Sequence, residues 1–405
     1  MNEIKAEEKK VLIEQFIDRY LPREEIIHRL PLSLPITKFW PELQEERKKM
    51  SIELPLLSQN GTPFWFVINK TIENQCDAIA QYAREDFLFD GTVFETMAND
   101  AVLDEAVCSS IIEGAFTSKK EAAVLIRGNR DPKNKSEQMV RNNYDALTYV
   151  LEHLEESITE EMILKIAKIV TRSAAEVQVT GYRTNQVYVS GQNGPVYTPP
   201  EASKVPGMMR MLIDFIQNNE LHPVLKACIA HFYFVYIHPF GDGNGRTARA
   251  LSLMMLLQSG YDFFRYFSIS DIVAKERSKY YHAMHNVENS DNDMTYFIDC
   301  YSSMLARTIR RMEDHLFRHV FADHIVSRLS TEGKLNERQL KGAKWLMETG
   351  QSGITVETWK KKYKVATETA RRDLLLLCEC GVLSRTTEGR KAVFRINNDF
   401  LRKQS

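Results

Sequence analysis

Helical periodicity over residues 71–320 is the feature that most constrains the fold of this chain. Apolar residues recur there at the three- and four-residue spacing of amphipathic helices. Ser118 and Glu121 form a capping-box pattern, Pro223 fits a first helical turn, and Gly260 fits the position after a helix end. The sequence therefore predicts a mostly α-helical bundle.

One segment interrupts the helical pattern. Residues 186–197 contain two short β-prone runs on either side of a turn rich in Gly and Asn, which is typical of a β-hairpin. Because an isolated hairpin is only marginally stable, it needs to pack against a neighbour. We interpret this hairpin as a flap over a site on the helical body.

The pattern changes again after about residue 335. Three helices are predicted over 337–349, 356–363 and 368–380, and a β-hairpin follows over 382–396, the order found in a winged helix-turn-helix. From Lys334 onward the chain has 16 Lys and Arg residues against 8 Asp and Glu residues, although its overall formal charge is −1. This asymmetry favours a separate basic module, over 335–400, with an anionic partner.

Several classes of protein are disfavoured by composition. No apolar run reaches the roughly 18–20 residues of a membrane span, and the charged N-terminus lacks the apolar segment of a secretion signal. The six cysteines form no CxxC pair, so we expect reduced thiols and a cytoplasmic location without membrane partners. Residues 1–90 are interpreted as an N-terminal packing subdomain and residues 91–325 as the core.

The stretch from His238 to Arg249 has the composition of an anion site. A predicted helix ends near Tyr236, and a new one starts near Gly245 after a turn rich in glycine. Glycines let the backbone approach a ligand closely, and the unpaired N–H groups of a helix start bind anions.

Four side chains in the same stretch carry chemistry. Arg246 and Arg249 share one helix face in the first turns, where the helix dipole disfavours cations unless an anion neutralises them. Asp242 is a carboxylate suited to Mg²⁺, and His238 can accept a proton near neutral pH. We therefore predict a base, a metal ligand and a phosphate clamp within this short span.

This stretch resembles the signature of the Fic family, HPFxDGNGRxxR, and matches it at every fixed position. The resemblance extends over about residues 100–310. It implies a Fic-type helical bundle that transfers AMP from Mg²⁺-bound ATP to a Ser, Thr or Tyr hydroxyl of a protein target, including the chain itself. It also implies the following roles: His238 as catalytic base, Asp242 as Mg²⁺ ligand, and Gly241, Gly243, Asn244, Gly245, Arg246 and Arg249 as ligands of the ATP phosphates.

The hairpin and a downstream helix extend the resemblance. The hairpin resembles the Fic flap, which binds the target as an added strand, and the corresponding positions are Val187, Tyr188, Val189 and Ser190. The segment Arg277–Tyr281 resembles one whose last Tyr lies near the adenine, which makes Tyr281 a candidate nucleotide contact. The family often has Asn seven residues later, whereas this chain has Glu288 and then Asn289.

A second short motif precedes the core. Ser109, Glu113 and Gly114 resemble the Fic inhibitory motif (S/T)xxxE(G/N) at the end of a predicted helix over 92–113. The resemblance implies that Glu113 pairs with Arg249 and blocks the γ-phosphate; in some relatives this Glu also assists removal of AMP. The structural alternative is a capping box formed by Ser110 and Glu113.

The basic module leaves its partner open. Thr367–Leu374 resembles recognition helices of winged-helix regulators, so Arg371 and Arg372 are candidate contacts to DNA or to a protein partner. The alternatives to AMP transfer are removal of AMP, transfer of another nucleotidyl or phosphoryl group, and a DNA-binding regulator whose Fic core senses nucleotide. A homodimer also stays open.

Overall fold

A computed structural model of the chain describes residues 6–83, 91–175, 178–191, 194–331, 333–349, 353–388 and 391–397. The chain divides into two compact units, Met1–Ile309 and Arg310–Ser405. Helices dominate both units, so the predicted mostly α-helical fold is confirmed. Within the described ranges, none of the helices combines the length and the low polarity that a membrane span requires.

The first unit starts with short elements that pack together. These are α1 (Ala6–Arg19), α2 (Arg23–Ile27), α3 (Ile36–Lys49), the antiparallel strands β1 (Ile52–Leu57) and β2 (Pro63–Phe66), and α4 (Lys70–Ala83). The fully buried Arg47 donates a hydrogen bond to the Tyr296 hydroxyl, and the backbone of Trp65 bonds to Asn292 and Met294. These contacts fix the N-terminal elements to the helical body.

The helical body follows. It consists of α5 (Gly91–Ile112), α6 (Lys119–Arg127), α7 (Lys135–Glu152), α8 (Glu160–Thr171), the antiparallel strands β3 (Val189–Gly191) and β4 (Gly194–Tyr197), α9 (Val205–Asn218), α10 (Pro223–Ile237), α11 (Asn244–Gln258), α12 (Ile269–Lys275), α13 (Arg277–Glu288) and the part of α14 (Thr295–Thr331) up to Ile309. The capping box at Ser118 and Glu121 is present, Pro223 lies in the first turn of α10, and Gly260 follows α11 with φ +84°. The sequence did not predict α12.

Helices α10 and α11 form the centre of the first unit. Helix α10 is apolar on nearly all sides and packs against α9 and α11, so almost all of its residues are buried. Helix α11 is also buried from Arg246 to Leu257, although it carries two arginines. The turn between these two helices therefore lies against the core.

The second unit has the predicted order of three helices and a hairpin. Its elements are α15 (Glu337–Thr349), α16 (Val356–Tyr363), α17 (Thr367–Glu379), β5 (Leu383–Glu388) and β6 (Lys391–Ile396). The buried carboxylate of Asp373 accepts hydrogen bonds from Arg338, Gln339 and the Trp359 indole, which ties the three helices together. Gly342 is required beside Trp359, because a Cβ there would lie 2.0 Å from the indole ring.

Candidate active site

The turn between α10 and α11 has an unusual backbone. His238 ends α10 in the left-handed region, with φ 51° and ψ 60°, where residues other than glycine are uncommon. Gly243, with φ +83°, precedes α11, and a Cβ at this position would lie 2.8 Å from Cγ2 of Thr171. Gly243 is therefore required by both conformation and space, whereas a Cβ at the exposed Gly241 would contact nothing.

Asn244 stabilises this turn from within. Its buried side chain accepts a hydrogen bond from the Phe240 N–H (2.9 Å) and donates one to the Phe240 carbonyl (2.8 Å). The oxygen and the nitrogen of the side-chain amide are thus both hydrogen-bonded within the turn. The backbone N–H of Asn244 remains for the predicted phosphate contact. The first N–H groups of a helix have no partner inside it, so the start of α11 retains its capacity to bind an anion.

Arg183, which the sequence analysis missed, holds the turn from the other side. Its Nε donates to the His238 carbonyl at 2.8 Å, and its other nitrogens donate to the carbonyls of Asn185, Pro200 and Ile237. One buried guanidinium thereby joins the end of α10 to both ends of the hairpin. Its partners are backbone carbonyls up to 55 residues away, so no local pattern marks it.

His238 lies in an environment that favours the neutral imidazole. Burial lowers the pKa of His238 to about 4, although the carbonyl of Val235 and the carboxylate of Glu113 oppose the shift. Its Nδ1 lies 3.4 Å from the Val235 carbonyl, which favours a proton on Nδ1 and leaves Nε2 as the acceptor. The side chain therefore has the protonation state of a base at neutral pH.

Arg246 and Asp242 interact at the mouth of the turn. The guanidinium of Arg246 is almost fully buried and donates to the Val170 carbonyl (3.0 Å) and to Oδ1 of Asp242 (2.9 Å), while its Nε has no hydrogen-bond partner among the residues that the structure describes. The Asp242 side chain is 42% exposed. Its carboxylate therefore retains access to solvent.

The donor set at Asp242 suits Mg²⁺ bound together with a polyphosphate. Mg²⁺ is usually held by one or two carboxylates and by phosphate oxygens rather than by a full set of protein ligands. In the described part of the chain, no group of three or more His, Cys, Asp or Glu side chains could hold a metal by itself. A single carboxylate is thus the expected protein contribution if the metal enters with its nucleotide.

Arg249 is held by the end of α5. Its Nε donates to the Ser109 hydroxyl (2.8 Å), and its Nη2 donates to the Ser109 carbonyl (2.9 Å) and to Oε1 of Glu113 (2.9 Å). Burial raises the pKa of Glu113, but attraction from Arg249 and then from Arg246 outweighs it, so the pKa is below its usual value. The carboxylate is therefore ionised, in the pairing that the sequence predicted.

Glu113 occupies the start of α11 itself. A Cβ on Gly245 would lie 2.1 Å from Oε1 of Glu113, so only glycine lets the carboxylate approach the helix start this closely. Helix α5 ends at Ile112, one residue earlier than predicted, and Gly114 turns the chain away with φ +92°. The Glu113 carboxylate is thus the anion at the start of α11.

The capping-box alternative for Glu113 is wrong. Ser110 lies within α5, and its hydroxyl donates to the Ala106 carbonyl one turn earlier. The N–H of Glu113 donates to the Ser110 carbonyl in the turn that ends the helix. Ser110 therefore starts no helix, and the Glu113 carboxylate is used at α11.

Comparison with known proteins assigns this region. Residues 157–256, which include the whole stretch from His238 to Arg249, match the model of the Fic/DOC family. The chain carries a Fic domain.

Similar proteins agree with this assignment. The chain is 35% identical over 138 residues to "Protein adenylyltransferase Fic" of Drosophila willistoni, covering 33% of this chain and 25% of the relative. It is 37% identical over 123 residues to the protein of the same name from Nematostella vectensis, covering 29% and 28%. The chain thus spans about a quarter of the length of the curated relatives it matches.

A solved structure extends the similarity to the fold. A Fic family protein from Desulfovibrio desulfuricans G20 aligns over 82% of this chain and 97% of its own, with a TM-score of 0.55 and 20% identity. At this identity the similarity concerns the fold alone. The Fic-type helical bundle that the sequence predicted is therefore confirmed.

The predicted hairpin of the Fic domain is present, with strand pairing from Val189 to Tyr197. Val187 and Tyr188 precede β3, and Tyr188 is 61% exposed. Ser190 lies in β3, where its backbone is paired opposite Pro195. The hairpin is attached to the end of α10, because the Tyr197 hydroxyl donates to the Tyr236 carbonyl (2.7 Å).

The two neighbouring tyrosines of α13 have different environments. Tyr280 is buried and lies 2.7 Å from Nε2 of His231 through its hydroxyl. Tyr281, the predicted nucleotide contact, is 40% exposed, and the Arg277 guanidinium lies 5.5 Å from its ring centre. Tyr281 is thus accessible to a ligand, whereas Tyr280 belongs to the core.

Glu105, also missed by the sequence analysis, anchors α5 to the start of α12. Its buried carboxylate accepts hydrogen bonds from the Ser268 hydroxyl (2.7 Å) and from the N–H (2.9 Å) and hydroxyl of Ser270, at the start of α12. Glu105 lies one helical turn before Ser109 on α5. The contact therefore fixes the helix that delivers Glu113.

Proposed function

We propose that this chain transfers AMP from MgATP to a hydroxyl side chain of a protein, and that Glu113 restrains the transfer. The observation that carries the proposal is the ion pair between Glu113 and Arg249 at the start of α11. A chain-borne carboxylate there uses the cations and N–H groups that suit a polyphosphate. The name of the similar relatives supports AMP as the transferred group.

The reaction needs few protein groups. The target oxygen attacks the α-phosphorus while its proton passes to His238, and the bond from the α-phosphorus to the bridging oxygen breaks so that pyrophosphate leaves. The low pKa of His238 supports a neutral acceptor. Mg²⁺ entering with ATP, beside Asp242, would neutralise charge on the phosphates. Arg246 and the N–H groups of α11 would orient them, which is the main requirement of such transfer.

Glu113 would act by keeping Arg249 occupied. The guanidinium makes three hydrogen bonds to Ser109 and Glu113. A γ-phosphate that used Arg249 would have to displace the Glu113 carboxylate, since both are anions at one helix start. Removing the carboxylate would leave the Ser109 contacts intact and free one N–H of Nη2 of Arg249 for ATP.

The test compares label transfer by four proteins. MgATP labelled at the α- or the γ-phosphate is added to wild type, Glu113→Gly, Glu113→Gly/His238→Ala and the control Glu121→Gln. Glu121 is an exposed carboxylate on α6. We expect α-label on protein, strong with Glu113→Gly, weak with wild type and Glu121→Gln, and absent with the double variant. Transfer of γ-label would indicate kinase chemistry, and loss of pre-formed α-label would indicate removal of AMP.

A second candidate function concerns residues 335–400, which we propose to be a winged helix that contacts nucleic acid. Arg371 and Arg372 are exposed on α17 and, among the described residues, have no acidic partner. Lysines on the preceding α16 add positive charge.

All six cysteines of the chain are free thiols, which supports a reducing compartment such as the cytoplasm.

A further inference from the structure

A cavity of about 860 Å³ is lined by none of the residues that were assigned roles in the chemistry above. It is bounded by α3, by the turn between β1 and β2, and by the end of α13. Tyr197 and Tyr236 form another part of its wall. Tyr236 lies two residues before His238, and Tyr197 ends the hairpin, so the cavity adjoins the elements that carry the base and the flap.

Hydrogen-bond donors in the wall are largely used by the protein. Nδ2 of Asn292 donates to the Thr62 hydroxyl (2.8 Å), and the Trp65 indole donates to the Asp291 carbonyl (2.7 Å). Nε2 of Gln44 donates to a backbone carbonyl at 3.3 Å. Gln44 is more than nine-tenths buried, and its Oε1 has no hydrogen-bond partner in the described part of the chain. The wall therefore has few hydrogen-bond donors left for a ligand, and it suits a ligand that donates.

The charges in the wall favour a cationic ligand. Glu45, Glu288 and Asp291 line the cavity, with Lys48 as the one cation among its described lining residues. The Glu288 side chain is 27% exposed, and its ion-pair partner in the described chain is His285, 3.9 Å away. Burial raises the pKa of Glu288 to about 7, because the carboxylate lacks a close counter-charge. A cationic ligand would supply that counter-charge.

The shape of the wall favours a guanidinium over an ammonium. A guanidinium is planar, has five donors and no acceptor, and stacks on aromatic rings. The rings of Tyr197 and Tyr236 lie 6.0 Å apart in the wall, which provides such a surface. The carboxylates of Glu288 and Glu45, which line the cavity, can accept two hydrogen bonds each from a guanidinium.

From this geometry we infer that the cavity binds an arginine side chain of the protein target, a few residues from the hydroxyl that receives AMP. The inference rests on the proposed function for the identity of its ligand. An extended segment rises about 3.3 Å per residue, so a target strand added to the hairpin can place one side chain at His238 and another beside Tyr197. The cavity would then select targets by sequence, while the hairpin binds their backbone.

The test measures binding without nucleotide, so that it does not depend on transfer. N-acetyl-arginine amide and its neutral isostere N-acetyl-citrulline amide are titrated into the full chain and followed by nuclear magnetic resonance. We expect arginine to bind roughly tenfold more tightly than citrulline, since hydrogen bonds from a charged donor to a carboxylate are stronger than those from a neutral donor. Glu288→Gln and Glu45→Gln should remove this preference. Glu42→Gln, also on α3 but outside the wall, should preserve it.

Equal binding of the two probes, or a preference that survives Glu288→Gln and Glu45→Gln together, would overturn the inference. A second readout separates it from the proposed function. In the Glu113→Gly background, α-label transfer to a Thr-containing peptide with Arg should exceed transfer to its citrulline counterpart, and Glu288→Gln should equalise the two. Absence of label on every protein and peptide would reject the transfer alone, since the probe titration would still report on the cavity.

Discussion

Two helices of this protein carry a pair of arginines within their first two turns, and the surroundings of the two pairs differ sharply. In α11, Arg246 and Arg249 are almost fully buried and bond to carboxylates and carbonyls. In α17, Arg371 and Arg372 are exposed, and the described residues provide them with no acidic partner. Cations near a helix start are disfavoured by the dipole in both cases.

The difference shows how far each pair defines its ligand. At α11 the protein supplies an anion of its own, the Glu113 carboxylate, in a space that admits only a glycine beside it. The size, charge and position of the expected ligand can therefore be derived. At α17 water offsets the dipole penalty, and exposure alone favours an anionic partner without describing its shape.

The largest expected contrast is catalytic. In the Glu113→Gly background, His238→Ala should lower the rate of α-label transfer by roughly 10²–10⁴-fold, the usual contribution of a general base. Arg371→Ala and Arg372→Ala in the same background should leave the rate within about twofold, because no step of the proposed chemistry uses α17. Comparable losses at both helices would break the comparison.

The second contrast is in stability. Arg246→Ala should lower the free energy of unfolding by about 2–3 kcal/mol, because it empties a buried site and removes hydrogen bonds to Val170 and Asp242. Arg371→Ala should change it by no more than about 0.5 kcal/mol, as for most exposed positions. Calorimetric unfolding of both variants measures the difference, and equal shifts would show that burial is not what distinguishes the pairs.

The third contrast concerns nucleic acid. Replacing Arg371 and Arg372 together by Gln should weaken binding to duplex DNA by roughly tenfold and lower the salt slope by about two, one for each phosphate contact. Arg246→Ala should leave DNA binding unchanged. Gel shifts over a range of salt concentrations test this; unaltered affinity in the α17 variant would assign these arginines to solvent or a protein contact.

The smallest expected effect is that of pH on kcat/KM, which should hardly change near neutral pH. Burial depresses the pKa of His238 to about 4, so the imidazole stays unprotonated above that pH and takes up a proton only below it. The kcat/KM of Glu113→Gly should therefore fall by less than about twofold between pH 7 and 5.5, whereas a base with the ordinary pKa of about 6.5 would lose roughly tenfold. A tenfold loss measured over that range would mean that His238 is solvated.

Features carried by local sequence were predictable. The helices of the body follow from periodicity, and the ion pair between Glu113 and Arg249 was expected because each residue lies in a short recognisable motif. Helix α12 was missed since it has seven residues, fewer than two turns of a periodic pattern require, and its capping Ser268 lies in an aromatic-rich connection.

Features carried by distant contacts could not be predicted from one sequence. Arg183 holds the turn through backbone carbonyls, which any residue can supply. Glu105 meets Ser270 across 165 positions of the chain, and nothing near either residue indicates the other. The cavity beside Tyr236 is likewise assembled from five separate segments, so its chemistry emerges only after folding.

The central claim is that Glu113 acts through Arg249, and a double-mutant cycle tests it most directly. The rate of α-label transfer is measured for wild type, Glu113→Gly, Arg249→Ala and the double variant. We predict that Glu113→Gly raises the rate at least about tenfold when Arg249 is present, as expected for one freed charge-assisted bond, and leaves it unchanged when Arg249 is absent. An equal rise in both backgrounds would contradict the account.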